Sequence, residues 1–428
     1  MRKLSSILLL STLAVCASVV AAQPAMAVTG STICNVQSYG AKANGTTKDT
    51  TAIQHAIDAC EAKGGGTVLM PAGTYLSGPI VLKSNITLKL DKGATLLGSP
   101  DFSDYPQITE FRAPGRQALV SAKNAENISI IGEGTINGNG YGWWKAARKV
   151  HDAGVMGNTF TRPRLIVFNH CKHALIEGIT AENSGMWQIV PYYSDYVTIR
   201  NIRILAPQHA PNTDAIDPFS VQHMLIEHVF ANVGDDDIAI KSGMPNSSDN
   251  RPSTWITIKD CTFLHGHGLS VGSEIAGGAQ HIYADNITMD GTDNGIRVKA
   301  NRDRGNDVSD LVFKNFRLKN VKNALIISEY YPKIYPPTPD VAAPVTRLTP
   351  HFHNITIENF IATDSKNAGA IAGLPEAPVR DLVLRNVKID AQKGMILSNA
   401  QVKATHFVVH AAKGKDITKL AGTELSSK

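Results

Sequence analysis

Asn354-Ile-Thr-Ile-Glu-Asn-Phe360 is the clearest copy of a segment that recurs along this chain. Other copies read Val197-Thr-Ile-Arg-Asn-Ile202, Trp255-Ile-Thr-Ile-Lys-Asp260, His281-Ile-Tyr-Ala-Asp-Asn-Ile287, Leu311-Val-Phe-Lys-Asn-Phe316 and Leu382-Val-Leu-Arg-Asn-Val387. Shorter relatives stand at Asn85-Ile-Thr-Leu88 and Asn127-Ile-Ser-Ile130. Each copy alternates apolar and polar residues and is rich in β-branched side chains, so each reads as a strand. Asn201, Asp260, Asn286, Asn315 and Asn386 hold like positions, and the steps from Asp260 to Asn286 and on to Asn315 are 26 and 29 residues. That period is too short for a propeller blade and too strand-rich for helical repeats. It fits one turn of an all-β parallel β-helix, with about three short strands per turn and coils stacked at roughly 4.8 Å. The recurring asparagines suit corners, because Asn tolerates the left-handed conformation. The sequons they create (Asn127-Ile-Ser129, for example) are read as turn chemistry rather than glycosylation sites.

Residues 1–27 read as a secretion signal. Arg2 and Lys3 precede a short apolar core from Leu8 to Val20, and Ala25-Met26-Ala27 matches a cleavage pattern. The apolar run is too short and mixed for a stable membrane span. Cleavage near Ala27 leaves residues 28–428 as a single expected domain with a net charge of about +3. That balance suits an acidic partner but argues against nucleic-acid binding. The mature chain is expected in the periplasm or the medium, as a monomer with no membrane attachment. Cys34 and Cys60 flank the first segments and are a candidate disulfide, while the absence of a C-x-x-C pair argues against a thiolate metal site. A helix is expected over Thr51–Ala62, with Ile53, Ala56, Ile57 and Cys60 on one face, Thr51 and Gln54 as a capping box, and Gly64-Gly65-Gly66 as its stop. It would cover the open N-terminal end of the solenoid. Pro332 to Pro350 reads as a surface loop and candidate lid, and the polar stretch Ala411 to Lys428 as a loosely held tail.

Four short motifs carry the chemistry: Asn212-Thr213-Asp214, Gly234-Asp235-Asp236, Gly266-His267-Gly268 and Arg297-Val298-Lys299. Steps of 21, 32 and 30 residues separate Asp214, Asp235, His267 and Arg297, so a coil of that length stacks them on one wall. Glycoside hydrolysis needs one carboxylic acid to protonate the leaving oxygen and one carboxylate to activate water. Three clustered aspartates supply candidates for both, and mutual repulsion would keep at least one protonated. Adjacent strand residues point to opposite faces, so Asp235 and Asp236 can share a cleft only at a strand end, bulge or turn. His267, between two glycines, can hydrogen-bond a nearby carboxyl group where a sugar approaches closely. Arg297 and Lys299 alternate across Val298 and can face one side together, which suits a substrate carboxylate. No metal or organic cofactor is implied.

These motifs, in this order, resemble the signatures of the polygalacturonase family (glycoside hydrolase family 28), bacterial type. The stretch Gly65-Gly-Thr-Val-Leu-Met-Pro-Ala-Gly-Thr-Tyr75 is also similar, and the likeness runs from about Gly64 to Asn386. The resemblance implies a right-handed, single-stranded, pectin-lyase-like solenoid. It implies Asp235 as general acid, Asp214 and Asp236 as holders of the attacking water, and inversion at the anomeric carbon. It implies Asn212, Arg297, Lys299 and Tyr331 as substrate-binding residues, Tyr330 being the alternative to Tyr331. The expected activity is hydrolysis of α-1,4 bonds in de-esterified pectin, with endo action preferred over exo by a narrow margin. Hydrolysis of another pectic backbone, a calcium-dependent pectate lyase and a non-catalytic glycan-binding β-helix are the rivals. Ala215 stands where the family often has glycine, and Asp237 where it commonly has cysteine or asparagine. Trp143-Trp144 and Arg162-Pro163-Arg164 resemble family positions near the cleft and are read as structural.

Overall fold

The computed structural model describes residues 32–427, apart from 112, 155–159 and 246–249. The expected leader, residues 1–27, lies outside the described residues. The described chain winds as a right-handed parallel β-helix, each coil pairing with the next. The recurring segment sets the register. Val197, Met224, Ile256, Ile282, Leu311, Ile355, Leu382 and Val402 pair in one column. All eight side chains are buried, so each coil fills the interior that its neighbours leave open.

The corners follow the asparagine reading. Asn201, Asp260, Asn286, Asn315 and Asn386 all take positive φ, between 52° and 57°. Their side chains climb from coil to coil: Asn286 donates to Asp260 at 2.6 Å, Asn359 to Asn315 at 3.0 Å and Asn386 to Asn359 at 3.1 Å. A corner residue that adopts this conformation and bonds its counterpart above lets every coil turn at the same place. A second corner is aromatic. His173, Tyr196 and His223 stack at 5.0 and 4.8 Å, and Trp255 stacks on His281 at 4.0 Å.

One wall positions the site. It begins with Ile80–Leu82, Val120–Lys123, Ile166–Asn169 and Ile189–Tyr192. Single bridges at Ile216 and Phe219 carry it onward to Ile238–Ile240, and strands Leu269–Val271, Asn294–Lys299 and Asn323–Ser328 continue it.

The capping helix α1 spans Thr50–Glu61 and buries Ile53, Ala56, Ile57 and Cys60. It packs on the first strands, Ile33–Asn35, Gly66–Met70 and Ile80–Leu82. The expected capping box does not form. Gln54 instead brackets Val81, accepting from its amide at 2.9 Å and donating to its carbonyl at 3.1 Å. Docking to the solenoid edge therefore outcompetes local capping. Cys34 and Cys60 are bonded, 26 residues apart, and tie α1 to the first strand. Loop-closure entropy of that length predicts that reduction costs about 3.5 kcal/mol of stability. Chemical denaturation with and without reductant measures this, and an unchanged midpoint would mean no bridge. Cys171 and Cys261 are buried thiols.

Two features differ from the sequence reading. A second helix, α2, spans Tyr141–Asp152. Only Trp143 of it is fully buried, although Trp143, Ala146, Ala147 and Val150 share one face. The expected tail is ordered: Ala400–Lys419 pairs with the preceding coil, and Thr423–Ser427 pairs with Ala400 to Ala404. Backbone pairing to an existing edge, with Ile417 and Leu425 packed against the core, orders this mostly polar segment. The Pro332–Pro350 loop is tethered as well. Asp340 accepts from Tyr330 at 2.6 Å, Val341 from Arg302 at 3.2 Å, and Arg347 donates to Pro245 at 2.9 Å. Among the described residues no helix is long and apolar enough to cross a membrane.

Candidate active site

The stacked wall brings the four motifs together. Asp236 lies two residues before Ile238, and His267 two before Leu269, its register partner. Asp214 lies two before Ile216, which bridges to Ile238. Asp235 and Asp236 sit in the bend between strands Phe230–Val233 and Ile238–Ile240. That bend releases them from strand alternation and lets both serve one cleft. Gly234 makes it possible: a Cβ there would lie 2.4 Å from the Ala210 carbonyl oxygen.

Asp235 is the most open of the three aspartates. His267 Nδ1 lies 2.9 Å from its Oδ1, and Asn212 Nδ2 donates to its Oδ2 at 3.4 Å. Asn212 is itself held by Arg162 at 2.6 Å, and Arg162 also reaches the Pro211 carbonyl at 2.8 Å. Arg162 thus supports Asn212 from behind. Arg164 pairs with Glu110 at 3.3 Å and lies over the Phe111 and Trp187 rings, in keeping with its structural reading. Trp143 is buried, stacked on Phe102 at 3.7 Å.

Asp236 is buried between the two basic residues. Arg297 Nη2 and Ser270 donate to its Oδ1, and Lys299 donates to its Oδ2 at 3.0 Å. Burial would raise this carboxyl, but Arg297 and Lys299 hold it well below the usual carboxylate range. Lys299 also lies 5.4 Å from the ring centre of Tyr331. Tyr330 points away, buried and bonded to Asp340 and Gly373, so Tyr331 is the tyrosine at the cleft. Asp235, Asp236 and His267 bring one ligating atom each within 4.8 Å of one another. Two cations already occupy the Asp236 oxygens, an arrangement that repels a further positive ion.

The glycines around His267 have a different cause from the one expected. They answer to the coils on either side. A Cβ on Gly266 would lie 2.5 Å from Asp237, and one on Gly268 2.0 Å from the Asn294 carbonyl oxygen. Burial lowers the His267 imidazole, but its bond to Asp235 more than offsets this and leaves it raised. Asp237 is buried, accepts from Gly268 N at 2.9 Å, and is pushed well up by burial. Asp237, which stands where the family commonly has cysteine or asparagine, thus supports the His267 turn.

Asp214 is also buried. Burial, then the charges of Asp235 and Asp217, raise it well above the usual range, as repulsion within the cluster requires. Below it lies a group outside the four motifs. Lys241 Nζ sits 3.4 Å from Asp217, 3.5 Å from Glu274 and 3.9 Å from Asp214. The signal was present in principle: Asp217, Lys241 and Glu274 lie on successive coils, as Asp214, Asp236 and His267 do.

A right-handed β-helix with carboxyl groups, a histidine and a carboxylate clamp on one wall defines a class, the glycan-cleaving solenoids. The sequence profile described as "Glycosyl hydrolases family 28" matches residues 60–409. The chain belongs to that family and is a glycoside hydrolase. It is 30% identical over 372 residues to a probable polygalacturonase of Vitis vinifera, covering 82% of this chain and 73% of that one. It is 29% identical to an endo-polygalacturonase of Pectobacterium carotovorum, covering 83% and 87%. Its structure is similar to that of a hyperthermoactive exopolygalacturonase from Thermotoga maritima, with a TM-score of 0.77, 27% identity and 93% of both chains covered.

Proposed function

We propose that this protein is a polygalacturonase that hydrolyses α-1,4 bonds between galacturonates of de-esterified pectin by single displacement. The observation that carries this reading is the Arg297–Asp236–Lys299 group beside the Asp235–His267 pair. In the free protein Asp236 neutralises the two cations, and a galacturonate carboxylate brings the same charge to them. Asp235 gives its proton to the glycosidic oxygen as the bond to the anomeric carbon breaks. Asp214 and Asp236 orient water on the opposite face of the sugar and take up its proton. His267, more basic than usual, orients Asp235 and can return a proton to it between turnovers. The named relatives include both endo and exo enzymes, and endo action is the reading carried from the sequence.

A time course on polygalacturonate tests the proposal. Reducing ends should appear with no unsaturated product, and a chelator should not slow them. Mixed oligomers mean endo action, whereas only monomer or dimer means exo. Unsaturated ends that vanish on chelation would replace this reading with a lyase, and binding without chain shortening would make the protein a binder. The leader at residues 1–27 would export a monomer to the periplasm or medium.

A further inference from the structure

We propose that Lys241 is a positioning residue: from beneath the cleft, balanced by Asp217 and Glu274, it sets the charge of Asp214. The inference rests on the reading of Asp214 as a base that must be ionised. Lys241 is nearly sealed from solvent, its side chain 5% exposed. It lies directly past strand Ile238–Ile240 and bridges back to Phe219. The Trp187 ring covers its ammonium at 5.0 Å. No substrate carboxylate can reach a group so enclosed, so Lys241 can act only through its neighbours.

Two of those neighbours carry unpartnered oxygens. Asp214 Oδ1 and both oxygens of Asp217 are buried without a hydrogen-bond partner. The ammonium's distances of 3.4, 3.5 and 3.9 Å divide it among three carboxyls instead of committing it to one. Charge state is then set by the balance of the field. Asp217 from its own coil, and Asp235 and Asp236 from the next, press Asp214 toward its neutral form. Lys241 opposes them, and Glu274 draws on the same ammonium from the coil beyond. On the preceding side Arg162 and Arg164 face Asp214, each itself lowered by burial. His267 stands across the cleft beside Asp235. Burial and the remaining carboxylates push Asp217 up to about 7, while Glu274 is held below its usual range by Lys241. Lys241 itself stays charged despite burial.

The test is a pair of variants with opposite expected signs. Lys241→Met removes the cation at similar volume, so Asp214 ionises only at higher pH. The acidic limb of kcat/KM on polygalacturonate should move up by one pH unit or more. Asp217→Asn removes the carboxyl that competes with Asp214 for the Lys241 ammonium, and the same limb should move down. KM should change little in either. Limbs that stay in place together with an Asp214 carboxyl that titrates as in the parent would overturn the proposal, as would two shifts of one sign. If Lys241→Met does not fold, Asp217→Asn and Lys241→Arg decide: the first should shift the limb down and the second should leave it unmoved. Infrared titration, with the Asp214 band identified by its loss in Asp214→Asn, separates this inference from the reading beneath it. Carboxyl shifts of the expected signs with an unmoved activity limb would uphold the electrostatic role of Lys241 and remove Asp214 as the base. An Asp214 band that titrates alike in all proteins would overturn the inference itself.

Discussion

Asp235→Asn is expected to fold like the parent and to lose turnover by roughly 10²- to 10⁴-fold, the usual contribution of a positioned proton donor. The change keeps shape and removes only the proton. Asp235 is 23% exposed in its side chain, so its charge is not a buried debt to the fold. The backbone oxygen of Asp235 still accepts from His267 N at 2.8 Å, and an amide oxygen can still meet the imidazole. Stability should therefore stay within about 1 kcal/mol of the parent. Reducing-end release and thermal unfolding, measured on one preparation, check both halves. Near-parental turnover would remove Asp235 as the acid.

The neighbouring residue should behave differently. Asp236→Ala is expected to lose activity and stability together. Asp236 is buried, and its oxygens receive Arg297, Ser270 and Lys299. Removing one partner of a buried ion group leaves cations without a counter-charge, at a cost of about 3–5 kcal/mol. The pH dependence follows from its lowered carboxyl. The stability that Asp236 contributes is fully present above the unfolded value near 3.9 and is lost as pH falls from there toward the folded one. The variant should thus show a flatter acid arm in its unfolding profile. Adding Lys299→Met should recover part of the lost stability and none of the activity, because the pair is coupled. Equal stability of Asp236→Ala and Asp235→Asn would contradict the ion group described here.

The fold was readable because one segment repeats with its corner residue. Val197, Ile256, Ile282, Leu311, Ile355 and Leu382 open successive copies and stand in one buried column. The site was readable for a related reason, since each motif closes one coil of the same wall. What escaped the sequence lies outside the repeated segment. Helix α2 buries Trp143 alone. The segment after Ala411 is mostly polar, packs Ile417 and Leu425 against the core and takes its order largely from backbone pairing. Lys241, Asp217 and Glu274 share the coil spacing of the motifs, but a lysine and two acids scattered over three coils look like surface charge until their burial is known. Gly266 and Gly268 were legible as glycines and misread in purpose, because the atoms that forbid a side chain there belong to other segments of the coil stack.

The central claim is that Asp235 and the Asp214–Asp236 pair act on one glycosidic bond from opposite faces, with water entering directly. Proton NMR of the earliest product from an α-linked oligogalacturonate tests it before mutarotation blurs the signal. The account predicts the β anomer at the newly formed reducing end. An α anomer would mean two displacements through a covalent intermediate, and would contradict the assignment of all three aspartates.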